Sequence, residues 1–141
     1  MIYLGLDLGS KTCGIAKSDP FGMIASIYET YRFREDDYDS CLKRIVEIVK
    51  LEGAQVIVLG YPKHMNNDVG IRGQISERFK EMLNEALPKV KVILWDERTT
   101  SQEVNRIMIA ANTRRNNRKQ KKDELAAVII LQGYLDCKKE V

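Results

Sequence analysis

Residues 2–18, IYLGLDLGSKTCGIAKS, decide the fold. Two short apolar or alternating runs, 2–7 and 13–18, flank a small polar segment. Such runs around a turn predict a β-hairpin, in which Gly9 can take the positive φ that a tight turn requires. A third strand is predicted near 23–31, where MIASIYETY offers β-favouring residues. The chain is therefore expected to begin with three meandering strands.

Downstream of this meander, helices and strands alternate. A helix is predicted to open in the acidic stretch Arg34 to Asp39 and to end at Gly53, a residue suited to a C-terminal cap. The apolar runs VIVLG (56–60) and VKVILW (90–95) are typical of strands that are covered on both faces. A helix from about 71 to 86 is predicted between them.

The C-terminal third contains two more predicted helices. Thr100 and Glu103 match a capping box, which predicts a helix to about 111. A last helix is predicted to start at Asp123. The whole order, β-β-β-α-β-α-β-α-α, predicts an α/β fold with a mixed five-stranded sheet and helices on both faces: three antiparallel strands, then alternating strands and helices.

Length and composition favour one globular domain over 1–141. The chain has 141 residues, of which 44% are hydrophobic and 30% charged. No apolar run approaches the ~20 residues that span a bilayer, and the N-terminus lacks the pattern of a secretory signal. The three cysteines form an odd set without a CxxC pair, which favours a reducing cytoplasm over a disulfide framework or a zinc cluster.

Three acidic positions are candidates for chemistry. Asp7 ends the first strand between two glycines, where it either meets a cation such as a divalent metal or caps the hairpin turn; the motif alone leaves both open. Asp96 and Glu97 follow the fifth strand. Because side chains alternate along a strand, only one of them can enter a given site, and the cluster can also simply begin the next helix. Asp123 is either an N-cap or an acid at the sheet edge.

The convergence of these acids carries more weight than any one of them. Strand 1, strand 5 and the last helix are expected to meet near one edge of the sheet. Carboxylates gathered there would repel one another unless one is protonated or a cation intervenes. Hard oxygen ligands suit Mg²⁺ or Mn²⁺, and one or two such ions could activate water for phosphodiester hydrolysis.

Four blocks of sequence, in order, resemble the YqgF family. They are GLDLGSKTCGIAKSD, VIVLGYPKHMNN, DERTT and KKDELAAVIILQGYLD, and together they cover essentially the whole chain. The family is described as pre-16S rRNA nucleases or Holliday junction resolvases. The resemblance implies an RNase H-like fold related to the RuvC resolvases. It also implies catalytic and metal-binding roles for Asp7, Glu97 and Asp123.

One block departs from the family pattern. After GYP the family usually has a Met-Asp-Gly turn, whereas this chain has Met65, Asn66 and Asn67. The segment loses an acid and a glycine, so we assign it no metal or substrate role. The role of the 61–70 loop stays open.

The segment 112–122, NTRRNNRKQKK, is strongly basic and lies just before Asp123. Basic side chains can neutralise phosphates in a sequence-independent way, although a solvated surface loop has the same composition. Lys11 and Arg98 are further candidates for holding the scissile phosphate, or are surface ion pairs. The predicted nucleic-acid-binding residues are Lys11, Arg98, Arg114, Arg115, Arg118, Lys119, Lys121 and Lys122.

The remaining distinctive side chains favour ordinary roles. Trp95, on a buried strand, is predicted to be core rather than a stacking platform. His64 is predicted to be an exposed loop residue, and Cys13, Cys41 and Cys137 are predicted to be ordinary thiols.

Three functions remain open at this point. The favoured one is a cytoplasmic, Mg²⁺- or Mn²⁺-dependent endonuclease, acting on pre-16S rRNA or alternatively on branched DNA, as a monomer or weak homodimer. The second is a nucleotide-binding fragment of the actin-like ATPase type, since GLDLGSK also looks like the first phosphate loop of that superfamily. The third is a nucleic-acid-binding module without catalysis.

Overall fold

A computed structural model describes residues 1–61, 69–96 and 118–139, with side chains at 1–61, 71–96 and 125–138. The elements are β1 (Ile2–Leu8), β2 (Thr12–Ser18), β3 (Ala25–Arg32), α1 (Tyr38–Glu52), β4 (Ala54–Tyr61), α2 (Val69–Ala86), β5 (Lys91–Asp96) and α3 (Arg118–Lys139). The helix predicted from Thr100 lies outside the described residues. None of the helices described is both long and apolar enough to cross a membrane.

The five strands form one mixed sheet in the order β3-β2-β1-β4-β5. The pairs β1–β2 and β2–β3 are antiparallel, whereas β1–β4 and β4–β5 are parallel. This is the predicted mixed sheet. Because β1, β4 and β5 run in the same direction, their carboxyl ends share one edge, and β1 lies at the centre of the sheet.

The two faces of the sheet bury separate cores. Leu4 and Leu6 pack with α1 and α2 on one face. Tyr3 packs with Val58 and Leu131 on the other face, which α3 covers. This alternation along β1 means that any residue of the strand can be assigned to a face by its number, because successive side chains point to opposite sides.

Contact between α3 and β1 is unusually close at Gly5. A Cβ added there would lie 2.6 Å from Leu131 Cβ and 2.9 Å from the Ala127 carbonyl oxygen. Further along α3, the Lys138 ammonium donates to the Tyr3 hydroxyl. Later residues of the helix therefore contact earlier residues of the strand. Thus α3 runs antiparallel to β1, and its N-terminal half extends towards the carboxyl end of β1.

The hairpin turn differs from the prediction in one respect. Positive φ was predicted for Gly9, but among the described residues the positive-φ glycines are Gly22 and Gly53. The Gly9 amide donates to the Thr12 carbonyl at 2.7 Å, and a Cβ on Gly9 would lie 3.1 Å from that oxygen. Close approach of the backbone, rather than a left-handed conformation, is the reason for a glycine here.

Capping explains both ends of α1. The Asp37 side chain accepts a hydrogen bond from the Ser40 amide, and Gly53 ends the helix with φ 70°. The Gly53 amide donates to the Val49 carbonyl at 2.9 Å. The predicted C-terminal cap is therefore confirmed.

The start of α3 corrects a second prediction. The helix begins at Arg118 rather than at Asp123, so Asp123 lies inside the helix and is not its N-cap. The intervening residues are Arg, Lys and Gln, which are good helix formers. Their propensity extends the helix past the acidic residue that resembled a start signal.

Candidate functional site

Asp7 is the penultimate residue of β1, at the carboxyl end of the central strand, and it is half-buried. It alternates in phase with Tyr3 and Gly5, which face α3. Asp7 therefore belongs to the face that α3 covers, beyond the point where Ala127 lies over Gly5.

Glycines flank Asp7 on both neighbouring strands. Its antiparallel partner on β2 is Gly14. On β4, Leu6 pairs with Leu59, and the same register puts Gly60 level with Asp7. Neither of these glycines has a side chain that could lie beside Asp7. The strands beside Asp7 therefore place no methyl or larger group against its carboxylate.

Asp96 ends β5 but belongs to the opposite face. Val92 and Leu94 pack in the core under α1 and α2, whereas Ile93 and Trp95 pack in the core under α3. Asp96 alternates in phase with Val92 and Leu94, so it does not share a face with Asp7. Glu97 lies outside the described residues.

Asp123 lies in α3, four residues before Ala127. At 1.5 Å per residue this is about 6 Å further along the helix, in the direction of the carboxyl end of β1. Its side chain is outside the described set. Within the described part of the chain, no group of three or more His, Cys, Asp or Glu side chains could hold a metal ion.

The turn between β1 and β2 holds Lys11 in an exposed position. The Lys11 carbonyl accepts from the Phe33 amide at 2.9 Å, and the neighbouring Ser10 carbonyl accepts from the Asp36 amide at 2.8 Å. Both bonds tie the turn to the segment that follows β3. The Lys11 ammonium makes no ion pair with any described residue. The two hydrogen bonds fix the Lys11 backbone near the carboxyl end of β1.

The basic segment divides into two parts. The segment was predicted to be a loop before the last helix, and this is wrong for its second part. Four of its cations lie in the first two turns of α3: Arg118, Lys119, Lys121 and Lys122. The first turn of α3 contains no acidic residue. Outside the described residues lie Arg98, Arg114, Arg115, His64 and the segment 65–67.

Comparison with known proteins settles the family. The family model "RuvX: Holliday junction resolvase" matches residues 1–137. The chain belongs to the RuvX family. RuvX is the YqgF family of the sequence resemblance, which is therefore confirmed.

Similar RuvX relatives carry the name "Putative pre-16S rRNA nuclease". The relative from Staphylococcus haemolyticus (strain JCSC1435) is 45% identical over 133 residues, covering 94% of each chain. The relative from Staphylococcus aureus (strain N315) is 44% identical over the same length and coverage. Both the family description and this name denote hydrolases of phosphodiester bonds.

Solved structures support the fold assigned to this RuvX chain. Thermus thermophilus RuvC in complex with a Holliday junction substrate superposes with a TM-score of 0.70 at 11% identity, covering 100% of this chain and 97% of that one. The fowlpox virus Holliday junction resolvase gives a TM-score of 0.58 at 15% identity, covering 97% and 99%. The predicted RNase H-like fold is confirmed.

Trp95 has a feature that the sequence did not predict. The indole packs against Tyr134 of α3 in an edge-to-face arrangement, with ring centroids 5.4 Å apart. Its Nε1 is buried and has no hydrogen-bond partner in the described structure. Beside it is a cavity of about 410 Å³, lined by Trp95, Tyr134, Cys137 and Lys138. The spacing of Tyr134 and Lys138, one helical turn apart, is the sequence signal that could have indicated this cavity.

The three cysteines are free thiols in different environments. Cys13 and Cys41 are buried, and Cys137 is exposed. A hydrogen bond with Cys41, together with burial, raises the pKa of the Cys13 thiol well above its ordinary value. The Cys13 thiol therefore stays protonated in the core. Of the three thiols, the exposed Cys137 is the accessible one.

Proposed function

We propose that this chain is a divalent-metal-dependent endonuclease that hydrolyses phosphodiester bonds, with Asp7, Glu97 and Asp123 as metal ligands and catalytic acids. The observation that carries the proposal is the position of Asp7. It lies on the α3 face, at the carboxyl end of the central strand, and the turn of α3 that contains Asp123 extends towards this same end. Membership of the RuvX family supports the same reaction class.

Strand alternation favours Glu97 over Asp96 as the third acid. Asp96 belongs to the face of α1 and α2, so the next residue along an extended strand would belong to the face of Asp7. The two adjacent acids thus make a matched pair for mutagenesis. They have the same charge and neighbouring positions, and an extended strand would put them on opposite faces.

The donor set fits a hard cation. Carboxylate oxygens are the ligands that Mg²⁺ and Mn²⁺ prefer, and the residues level with Asp7 on the two neighbouring strands are glycines, which carry no side chain. When bound, one or two such ions would activate water and stabilise the leaving oxygen. The three carboxylates would hold these ions in place. Lys11, Arg98 and the basic residues of 112–122 would bind the phosphates of the substrate.

The proposed substrate is the precursor of 16S rRNA, processed at its 5′ end. This choice rests on the name of relatives that are about 45% identical over almost the whole chain. A second candidate is the four-way DNA junction, which the family description favours. The proposed working state is a monomer or weak homodimer.

The test is cleavage of a pre-16S rRNA fragment and of a four-way DNA junction by purified protein, with Mg²⁺, Mn²⁺ or a chelator. We expect metal-dependent cleavage, with the RNA preferred. Asp7→Asn and Glu97→Gln should each lower the rate at least 100-fold, because each removes a charged ligand, whereas Asp96→Asn should retain the wild-type rate. Equal rates for wild type and Asp7→Asn would refute the proposal.

A further inference from the structure

The cavity beside Trp95 combines two aromatic rings with a cation at its rim. Tyr134 contacts Trp95 on one side and Tyr3 on the other, with centroid distances of 5.4 and 6.0 Å. Lys138 is exposed, and its ammonium lies 4.3 Å from the centroid of the Tyr3 ring. Aromatic faces with an adjacent cation are the combination by which proteins bind unpaired nucleotides, through base stacking and phosphate neutralisation.

Trp95, which forms one wall of the cavity, lies within reach of Asp7 on the same face of the sheet. Gly60 pairs with Trp95, and Gly60 is itself level with Asp7. Two strand spacings therefore separate the Asp7 and Trp95 backbones, which is about 10 Å. Both residues belong to the face that α3 covers. A single strand of nucleic acid bound at Asp7 could therefore extend across Gly60 to Trp95 and Tyr134.

Among the residues that the structure describes, none fixes the indole by a hydrogen bond. Its buried Nε1 lacks a partner, and most buried polar atoms in proteins have one. A small rotation of the ring against an incoming base would therefore break no polar contact. Tyr134 is also only half-buried, so the site can accept a planar group without opening the core.

We propose that the cavity lined by Trp95, Tyr134, Cys137 and Lys138 is a subsite for one unpaired nucleotide next to the scissile phosphate. The base stacks on one ring of this edge-to-face pair, and the Lys138 ammonium neutralises a phosphate of the same nucleic-acid strand. The proposal rests on the proposed nuclease function for the identity of the ligand. It adds a requirement for an unpaired base beside the cleavage point, which fully paired duplex does not meet.

The chain provides its own reporter, because Trp95 is the only tryptophan. The experiment titrates Asp7→Asn protein, which should not cleave, with a single-stranded oligoribonucleotide of about 12 nucleotides in Mg²⁺ and follows tryptophan fluorescence. We expect saturable quenching. In this background Tyr134→Leu should weaken binding about tenfold, whereas the matched control Tyr134→Phe, which keeps the ring, should bind as the parent does.

Two further measurements do not depend on Tyr134. Lys138→Gln should reduce the slope of log affinity against log salt by about 0.7, the value for one phosphate contact with a single strand. The oligonucleotide should also protect the exposed Cys137 thiol from a maleimide reagent. Unchanged fluorescence on saturation, or equal affinity of the Leu and Phe variants, would overturn the proposal.

Cleavage by the wild-type protein separates this subsite from the nuclease function. A substrate series with single abasic positions should show one position, close to the cut, where loss of the base raises KM about tenfold and leaves kcat unchanged. Asp7-dependent cleavage with a flat abasic series would refute the subsite alone. Ring-dependent quenching without cleavage by the wild type would refute the nuclease alone.

Discussion

Gly5→Ala should push α3 away from the sheet. The new Cβ would lie 2.6 Å from Leu131 Cβ and 2.9 Å from the Ala127 carbonyl oxygen. Carbon atoms in contact are normally about 3.5–4.0 Å apart, so α3 must move outward by about 1 Å. Both obstructing atoms lie at the start of a side chain or on the backbone, and no change of rotamer can remove them.

The magnitude follows from two opposing effects. Overpacking of a well-packed core costs about 1–3 kcal/mol. Replacing glycine by alanine restricts the unfolded chain and returns about 0.4–1 kcal/mol. We therefore expect a loss of about 1–2 kcal/mol in the free energy of unfolding, and a Tm lower by about 3–10 °C for a chain of this size. Because α3 also carries Asp123, a 1 Å displacement should lower the cleavage rate up to about 100-fold.

Urea unfolding followed by circular dichroism gives the stability change, and the RNA cleavage assay gives the rate. The control is Gln55→Ala, an exposed position on the neighbouring strand β4, which should alter neither quantity. A Gly5→Ala protein with the stability and rate of the wild type would show that α3 does not pack against β1 at Gly5.

Further predictions concern the hairpin after β2, the thiols and the acidic cluster. The Asp19 carboxylate accepts three backbone amides, which lowers its pKa from 3.8, so Asp19→Asn should be less stable than wild type at neutral pH. This difference in stability should shrink as the pH falls below 3.8, because the wild type then loses the stabilising charge of Asp19. The midpoints of urea unfolding at a series of pH values between about 2 and 7 measure it. In the native state a thiol reagent should modify Cys137 quickly and Cys13 only after unfolding, which mass spectrometry of the labelled protein would show; rapid native labelling of Cys13 would contradict its burial. In a chelator, Asp7→Asn should raise Tm, because fewer carboxylates then repel one another; a lower Tm would argue against a cluster of acids.

Sequence patterns predicted the sheet well because its strands alternate or run apolar between turn residues. The hairpin around GSK, the buried strands β4 and β5, and the cap at Gly53 each have a local cause that can be read along the chain. The start of α3 could not be read in this way. There the helix propensity of the residues from Arg118 onwards competes with a capping signal at Asp123, and the sequence does not show which prevails.

The candidate site was predictable only in part. The topology indicated that Asp7 would lie at the carboxyl edge of the sheet, and alternation indicated that Asp96 and Glu97 would differ in face. The glycine neighbours of Asp7 depend on the register between strands, which the sequence does not specify. The cavity beside Trp95 depends on how α3 crosses the sheet, which is set by the contact at Gly5.

Direct binding of Mn²⁺, measured by electron paramagnetic resonance of the free ion, tests the central claim without requiring a substrate. Asp7, Glu97 and Asp123 should each be needed for wild-type affinity, so that neutralising any one of them weakens binding at least tenfold, whereas Asp96→Asn should bind as the wild type does. If the three single variants retain full affinity for the ion, these carboxylates do not form a shared metal site.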